Sequence, residues 1–247
     1  VLTTNKISVG PPFYNKLMIP FLVPFLFAMA IGPKLKWIKS GLEDKFYMFL
    51  FLIISFLLSV LIVKKFDVSF LINTILITSA FFLFFITLRD FFLKTFKNLS
   101  QNIAHFGFSL LILSILFNNI FSTEVITNLK IGETFKSEKF TIKFTNIDQE
   151  NGKNFKAIIG KFNVKYLDGS VDFLSPELRI YNQPNIITSE ADIKTNLFTE
   201  KFITMNYVQN QEYFNIRYQE KPLMIWIWIS VILISLSGLL SVLKKKI

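Results

Sequence analysis

Apolar and polar positions divide the chain into five long hydrophobic runs and one long alternating region. The runs cover about Phe13–Gly32, Phe46–Val63, Phe70–Leu88, Ile103–Phe121 and Leu223–Leu243. Each approaches the ~20 residues a helix needs to cross a hydrocarbon core about 30 Å thick. Lipid offers backbone amides no partner, so such a run must be helical in a bilayer. Five transmembrane helices are predicted, the first kinked at Pro20 and Pro24, whose freed carbonyls neighbouring helices can re-satisfy. The triplet "AMA" at 28–30 would also suit a signal-peptide cleavage site. No clear basic n-region precedes it, and the prolines interrupt the apolar stretch, so a span is the better reading.

Residues 122–221 alternate with period two instead. "FTIKFTNI" (140–147) reads as a half-buried strand, and "GKFNVKYLDGSVDFL" (160–174) places Asp168-Gly169 between two alternating runs. Glycine tolerates the positive φ of a tight turn, so this is a hairpin signal. The predicted fold class is an α-helical membrane protein with an inserted β-rich extracytoplasmic domain. Residues 1–121 form a four-helix transmembrane region, 122–221 the β-rich domain, and 222–247 a last helix with a basic tail. The β region shows no Gly-rich phosphate loop, nucleophile elbow or histidine base, and no catalytic residue is assigned.

Charge gives the orientation. The net charge is +10, yet residues 122–221 hold about as many Asp and Glu as Lys and Arg. The surplus lies in short segments between spans, the pattern of a topology signal; a nucleic-acid surface would gather it on one soluble face. Lys34, Lys36 and Lys39, then Arg89, Lys94 and Lys97, then Lys244, Lys245 and Lys246 all fall on one side of five alternating spans. The positive-inside rule makes that side cytoplasmic and residues 122–221 periplasmic in a bacterium, with Lys64 and Lys65 the exception. Mean hydropathy is +0.48. There is no cysteine, so no disulfide framework or thiolate metal site exists. The first residue is Val1, which leads us to expect a fragment or processed product.

One histidine, His105, stands in "SQNIAHFGFSLLILSILFNNI" (100–120), about one turn inside the fourth run. An ionisable group there faces the bundle interior or an aqueous cavity. Two readings stay open from the residue alone. It can be an interfacial histidine, snorkelling to water or capped by Ser100, Gln101 or Asn102. It can instead be an axial haem ligand, since haem iron needs only one or two protein ligands, whereas zinc needs three or four; position alone favours the interfacial reading. Gly107 thins the helix beside it, where a partner or a planar ligand could approach, and Ser109 is a candidate polar neighbour. A transporter or channel is disfavoured because the third run offers mainly Asn73, Thr74 and Thr78 as polar positions and intramembrane charges are lacking.

Four motifs make the sequence recognisable. "IAHFGFSLLILSILFNN" (103–119) resembles the histidine-bearing span of the CcmF family, the large membrane subunits of cytochrome c maturation, also called cytochrome c haem lyase. "SVGPPFYNKLMIPFLVPFLFAMAIGPKLKWIK" (8–39) is similar to the family's Pro-Pro-aromatic-Asn lead-in to a span closed by Gly-Pro and basic residues. "SPELRIYNQPNIITSEADIKTNLFTEKFI" (175–203) resembles its periplasmic stretch, and "IRYQEKPLMIWIWISVILISLSGLLSVL" (216–243) its closing Lys-Pro…Trp-Ile-Trp span. The four keep the family's order over most of the chain.

The resemblance implies the C-terminal part of such a protein, in the inner membrane. It implies a transmembrane haem b held by two histidines, with His105 matching the second. The first, and the family's tryptophan-rich loop, are absent here; the tryptophans are Trp37, Trp226 and Trp228. The implied reaction joins haem vinyl groups to the thiols of an apocytochrome c Cys-x-x-Cys-His motif, with the internal haem thought to supply electrons. Implied partners are the N-terminal part, other maturation subunits including the haem chaperone, apocytochrome c and lipid. The alternative is a non-catalytic scaffold subunit of the same assembly. Ser237-Gly238 stands where the family suggests paired glycines, a difference of helix packing. Trp226 and Trp228 read as interfacial anchors, Pro11, Pro12 and Tyr14 as the turn into the first span, and Arg179, Arg217 and Lys221 as solvated ion pairs ahead of propionate or partner contacts.

Overall fold

The computed structural model describes residues 11–34, 42–66, 69–93, 99–208 and 211–244. Lys36, Trp37, Lys39, Lys94, Lys97, Lys245 and Lys246, used in the sequence reading, lie outside the described residues, as do the side chains of Pro11, Pro12 and Tyr14. The chain divides into two compact units, one of Val1–Leu116 with Trp226–Ile247, the other of Phe117–Ile225.

Five helices make the first unit: α1 (Pro11–Ile31, continued by a 3-10 turn at Gly32–Lys34), α2 (Leu42–Lys65), α3 (Phe70–Leu93), α4 (Leu99–Phe121) and α5 (Met224–Lys244). All five are long and apolar enough to cross a membrane. The apolar runs located each helix but cut most of them short: α1 starts at Pro11 and not Phe13, α2 covers Leu42–Lys65 and not Phe46–Val63, α3 runs past Leu88 to Leu93, and α4 starts at Leu99 rather than Ile103. In α3, 61% of the spanning window is buried, against 11–22% in the other four, so the bundle packs around α3. Small and hydroxyl residues join the helices, as they must where lipid is as apolar as leucine. Ser59 Oγ and Thr78 Oγ1 share a hydrogen bond of 2.7 Å between α2 and α3. Ser100 and Ser237 each donate to the other's carbonyl at 2.7 Å between α4 and α5. Ser237, the departure from paired glycines, therefore helps lock α5 to α4.

Ten strands make the second unit: β1 (Thr123–Leu129), β2 (Thr134–Lys136), β3 (Phe140–Asn151), β4 (Phe155–Tyr166), β5 (Val171–Leu174), β6 (Glu177–Tyr181), β7 (Ile187–Glu190), β8 (Asp192–Thr195), β9 (Thr199–Tyr207) and β10 (Phe214–Pro222). They form two sheets, ordered β1-β10-β9-β8 and β2-β3-β4-β6-β7, with β5 also on β4. The expected hairpin joins β4 to β5; Gly169 sits at φ 85° and Lys165 opposes Val171. Alternation sends Phe140, Ile142, Phe144, Phe162, Val164, Ile203 and Ile216 into one core. The Phe144 and Phe162 rings stack at 4.3 Å. The first and last strands pair, Thr123 opposite Glu220, and Asn118 Nδ2 donates to the Pro222 carbonyl at 2.7 Å. An inserted domain needs such a closure, because its two ends must meet where the chain leaves and re-enters the bundle.

Candidate functional site

His105 lies six residues into α4, about 9 Å along the axis at ~1.5 Å per residue. This is one turn deeper than the apolar run suggested, because Leu99–Asn102 is helical too. The imidazole is half-buried and faces a cavity of about 100 Å³ lined by Met29, Ala30 and Pro33 from α1 and its 3-10 turn, Ile86, Thr87 and Asp90 from α3, and Gln101 and Asn102 from α4. Helical spacing explains the set: Gln101 and Asn102 precede His105 by four and three residues, and Ile86 and Thr87 precede Asp90 likewise.

Among the described residues, His105 makes no hydrogen bond. The three proposed caps do not reach it. Ser100 is bonded to Ser237, and Asn102 Nδ2 makes only a long 3.5 Å approach to the Asp90 carbonyl. Gln101 lines the same cavity. Ser109 turns away to share a 2.8 Å hydrogen bond with Thr87, itself part of the cavity wall.

Gly107 serves a helix and not a planar ligand. A Cβ there would lie 3.0 Å from Ile234 Cγ1, 3.2 Å from Leu233 Cβ and 3.3 Å from the Ser230 carbonyl. Two residues from His105, it sits on the opposite side of α4 and lets α5 pack close.

Sequence reasoning missed an ion pair. Lys34 Nζ and an Asp90 carboxylate oxygen form a buried salt bridge between the end of α1 and the last turn of α3. Asp90 lies in the spanning window Phe70–Leu93 and Lys34 in Leu17–Lys34, which corrects the expectation that intramembrane charges are lacking. A charge in a span is tolerated when paired. The signal was a lone acid among basic residues, placed at i+4 and i+3 from Ile86 and Thr87; ending the span at Leu88 hid it.

The second unit holds a polar cluster on its own sheets. Tyr166 and Tyr218 hydroxyls lie 2.8 Å apart, and Tyr218 donates to Glu220 at 2.7 Å. Lys201 sits 3.7 Å from the Tyr166 ring centroid and bonds Asp172 at 2.9 Å. Burial pushes the Tyr218 hydroxyl far above the usual tyrosine range, and its hydrogen-bond partners add to this. Burial also pulls Asp172 upward, but Lys201 and Tyr166 outweigh it and hold the carboxyl below its ordinary range. A protonated tyrosine pair and a compensated carboxylate form a structural lock between sheets and offer no activated nucleophile. Arg179 pairs with Glu177 at 2.9 Å and Arg217 with Glu124 at 2.6 Å, while Lys221 lies 5.2 Å from the Phe202 ring centroid. Trp228 is exposed and Trp226 half-buried at the start of α5.

No group of three or more His, Cys, Asp or Glu that could hold a metal ion exists among the described residues. What His105 presents is one unengaged imidazole in a cavity with apolar walls, lined also by Thr87, Asp90, Gln101 and Asn102. This donor set suits a prosthetic group whose iron takes a single ligand from each side. The cavity, about 100 Å³, is smaller than a porphyrin.

Comparison with known proteins agrees with the fold. The family described as CcmF C-terminal beta-sandwich matches residues 120–222. The chain is 27% identical to the cytochrome c-type biogenesis protein CcmF of Haemophilus influenzae, over 99% of this chain and 40% of that protein. It is 23% identical to the protein of the same name in Escherichia coli, over 97% of this chain and 38% of that one. A solved structure, Cytochrome c Heme Lyase CcmF, superposes with a TM-score of 0.71 at 18% identity, covering 93% of this chain and 40% of that chain. The chain thus spans about 40% of the length of the curated relatives it matches.

Proposed function

Residues 120–222 belong to the CcmF C-terminal β-sandwich family and the chain as a whole is homologous to the C-terminal part of CcmF; from that premise we propose that it is the C-terminal part of a membrane haem lyase of cytochrome c maturation. His105 is the residue of this part that would hold the iron of a transmembrane haem b, and the second ligand would come from polypeptide outside the chain. The observation that carries the reading is the imidazole itself: the sole histidine, free of hydrogen bonds among the described residues, beside the apolar walls of Met29, Ala30, Pro33 and Ile86.

Bound there, haem would supply a one-electron couple, poised by imidazole ligation and burial. The chain's own part is to hold a neutral imidazole in place and keep water from it. Gln101, Asn102 and Asp90 line the same cavity and are the groups available to orient the ring nitrogen that does not ligate. Lys34 forms a salt bridge with Asp90, so the carboxylate does not stand as an uncompensated charge beside the site.

The complete protein attaches haem to the Cys-x-x-Cys-His thiols of apocytochrome c. Residues 122–221 face the periplasm of a bacterial inner-membrane protein, between the helices of 1–121 and the helix and cytoplasmic tail of 222–247. The haem chaperone and other maturation subunits meet it there. A non-catalytic scaffold role is the second reading, favoured by the small cavity volume.

The test is co-expression of the chain with polypeptide equivalent to the rest of its relatives, followed by the haem Soret spectrum. His105→Ala is expected to abolish most bound haem, and imidazole added to His105→Gly to restore part of the band. Bound haem unchanged in His105→Ala rejects the ligand assignment and leaves the scaffold.

A further inference from the structure

The turn between β8 and β9 exposes two large apolar side chains, Leu197 at 58% and Phe198 at 68%. Its backbone is fixed by Asn196, whose Oδ1 accepts from the N–H groups of Phe198 at 2.9 Å and Thr199 at 2.7 Å. Turns of this kind ordinarily show small polar residues to water; this one shows leucine and phenylalanine.

Its place in the fold gives the reason. The Leu223 N–H donates to the Phe198 carbonyl at 2.8 Å, and Pro222 opposes Thr199 in the β10–β9 ladder. The next residue, Met224, begins α5. The spanning window of α5, Met224–Leu243, is 20 residues, about 30 Å at 1.5 Å per residue, which is the thickness of the hydrocarbon core. Met224 therefore lies at the hydrocarbon boundary, and the turn is bonded to the residue beside it. Just behind the tip, Lys194 and Lys201 oppose one another across the β8–β9 ladder. They share the Asp172 carboxylate at 3.4 and 2.9 Å, and Glu200 lies opposite Thr195 in the same ladder, so the apolar side chains and not a net charge distinguish the tip.

We propose that the β8–β9 turn is a membrane foot: Leu197 and Phe198 insert into the interface of the bilayer that α5 crosses. Apolar side chains at the start of a spanning helix gain by entering the headgroup–acyl boundary, as those of an interfacial anchor do. The foot fixes the β unit at the point where its chain enters the bilayer, and it does not depend on haem ligation.

The sequence contains no cysteine, so single Leu197→Cys and Phe198→Cys variants of the full chain can be nitroxide-labelled at one site. In phosphatidylcholine–phosphatidylglycerol vesicles, power-saturation spectroscopy compares access of oxygen, which concentrates in lipid, with access of a water-soluble nickel chelate. Both labels are expected to give an oxygen-to-nickel ratio severalfold above that of labelled Ile131→Cys. Ile131 is also apolar and 53% exposed, but it follows the far end of β1, some ~23 Å of strand away from the end of α4. Ratios at 197 and 198 equal to that at 131 overturn the foot. So does low access to both reagents, which means protein and not lipid covers the turn.

Discussion

Phenylalanine is used in opposite ways in the two units. In the helical unit Phe21, Phe46 and Phe92 are 71%, 65% and 74% exposed, while in the β unit Phe140, Phe144 and Phe162 are 2%, 0% and 1% exposed. The difference is one of solvent. A phenylalanine on α2 gains nothing by leaving lipid for protein, so it stays outside, and hydroxyl pairs, close backbones and one ion pair join the helices. In the β unit the alternative is water, and ring burial drives the fold. Two phenylalanines break the β pattern, Phe173 on β5 at 64% exposed and Phe198 at 68%, and Phe198 does so beside the start of a spanning helix.

The largest effect that sharpens this contrast is expected in the β core. Phe144 stacks on Phe162 and meets Phe214 edge-on at 5.7 Å. Phe144→Ala is predicted to cost about 4 kcal/mol and to accelerate proteolysis or amide exchange in residues 117–225 while the helices stay protected. Parallel loss of protection in both units would show that they do not fold separately. Next comes the ion pair. Asp90→Ala leaves Lys34 buried against the last turn of α3 and is predicted to cost about 3 kcal/mol, read by unfolding in bicelles. Lys34→Met with Asp90→Met should recover most of that loss, since a matched apolar pair replaces a matched charged pair. A double variant as unstable as the single one would mean that the charges are held for something beyond their own compensation.

The same difference of solvent decides what could be read without coordinates. Lipid demands continuous apolar runs, so all five helices were legible, and so was the β character of 122–221 from its period of two. Helix ends were not. The run ends where a polar residue first becomes expensive in lipid, but α4 extends through Leu99–Asn102, where Ser100 finds a partner on α5 and Asn102 approaches α3, and α3 continues to Leu93, where Lys34 compensates Asp90. His105 was legible because it is the only imidazole; the Lys34–Asp90 pair was not, since nothing local links residues 56 apart. Strand order was equally hidden. β1 pairs with β10 across the whole insertion, a long-range closure with no local signature. The Asp168-Gly169 turn was visible because its backbone requirement is local.

The smallest expected effect tests how weak the hydroxyl contacts are. Thr87 Oγ1 and Ser109 Oγ lie 2.8 Å apart between α3 and α4, both fully screened from solvent. Each hydroxyl also reaches a carbonyl of its own helix: Thr87 bonds Leu83 at 2.8 Å, and Ser109 bonds Phe106 at 2.8 Å. Removing one partner therefore orphans little, because the other keeps an acceptor on its own helix. Ser109→Ala is predicted to cost about 0.6 kcal/mol in bicelle unfolding, the mean for such interhelical bonds in membranes. Ser109 approaches the His105 cavity only through Thr87, so the Soret position of haem-loaded protein should not move. A loss above about 2 kcal/mol would mean that this hydroxyl pair holds α3 against α4 as firmly as the ion pair does. The bundle would then depend on polar contacts far more than its apolar surface suggests.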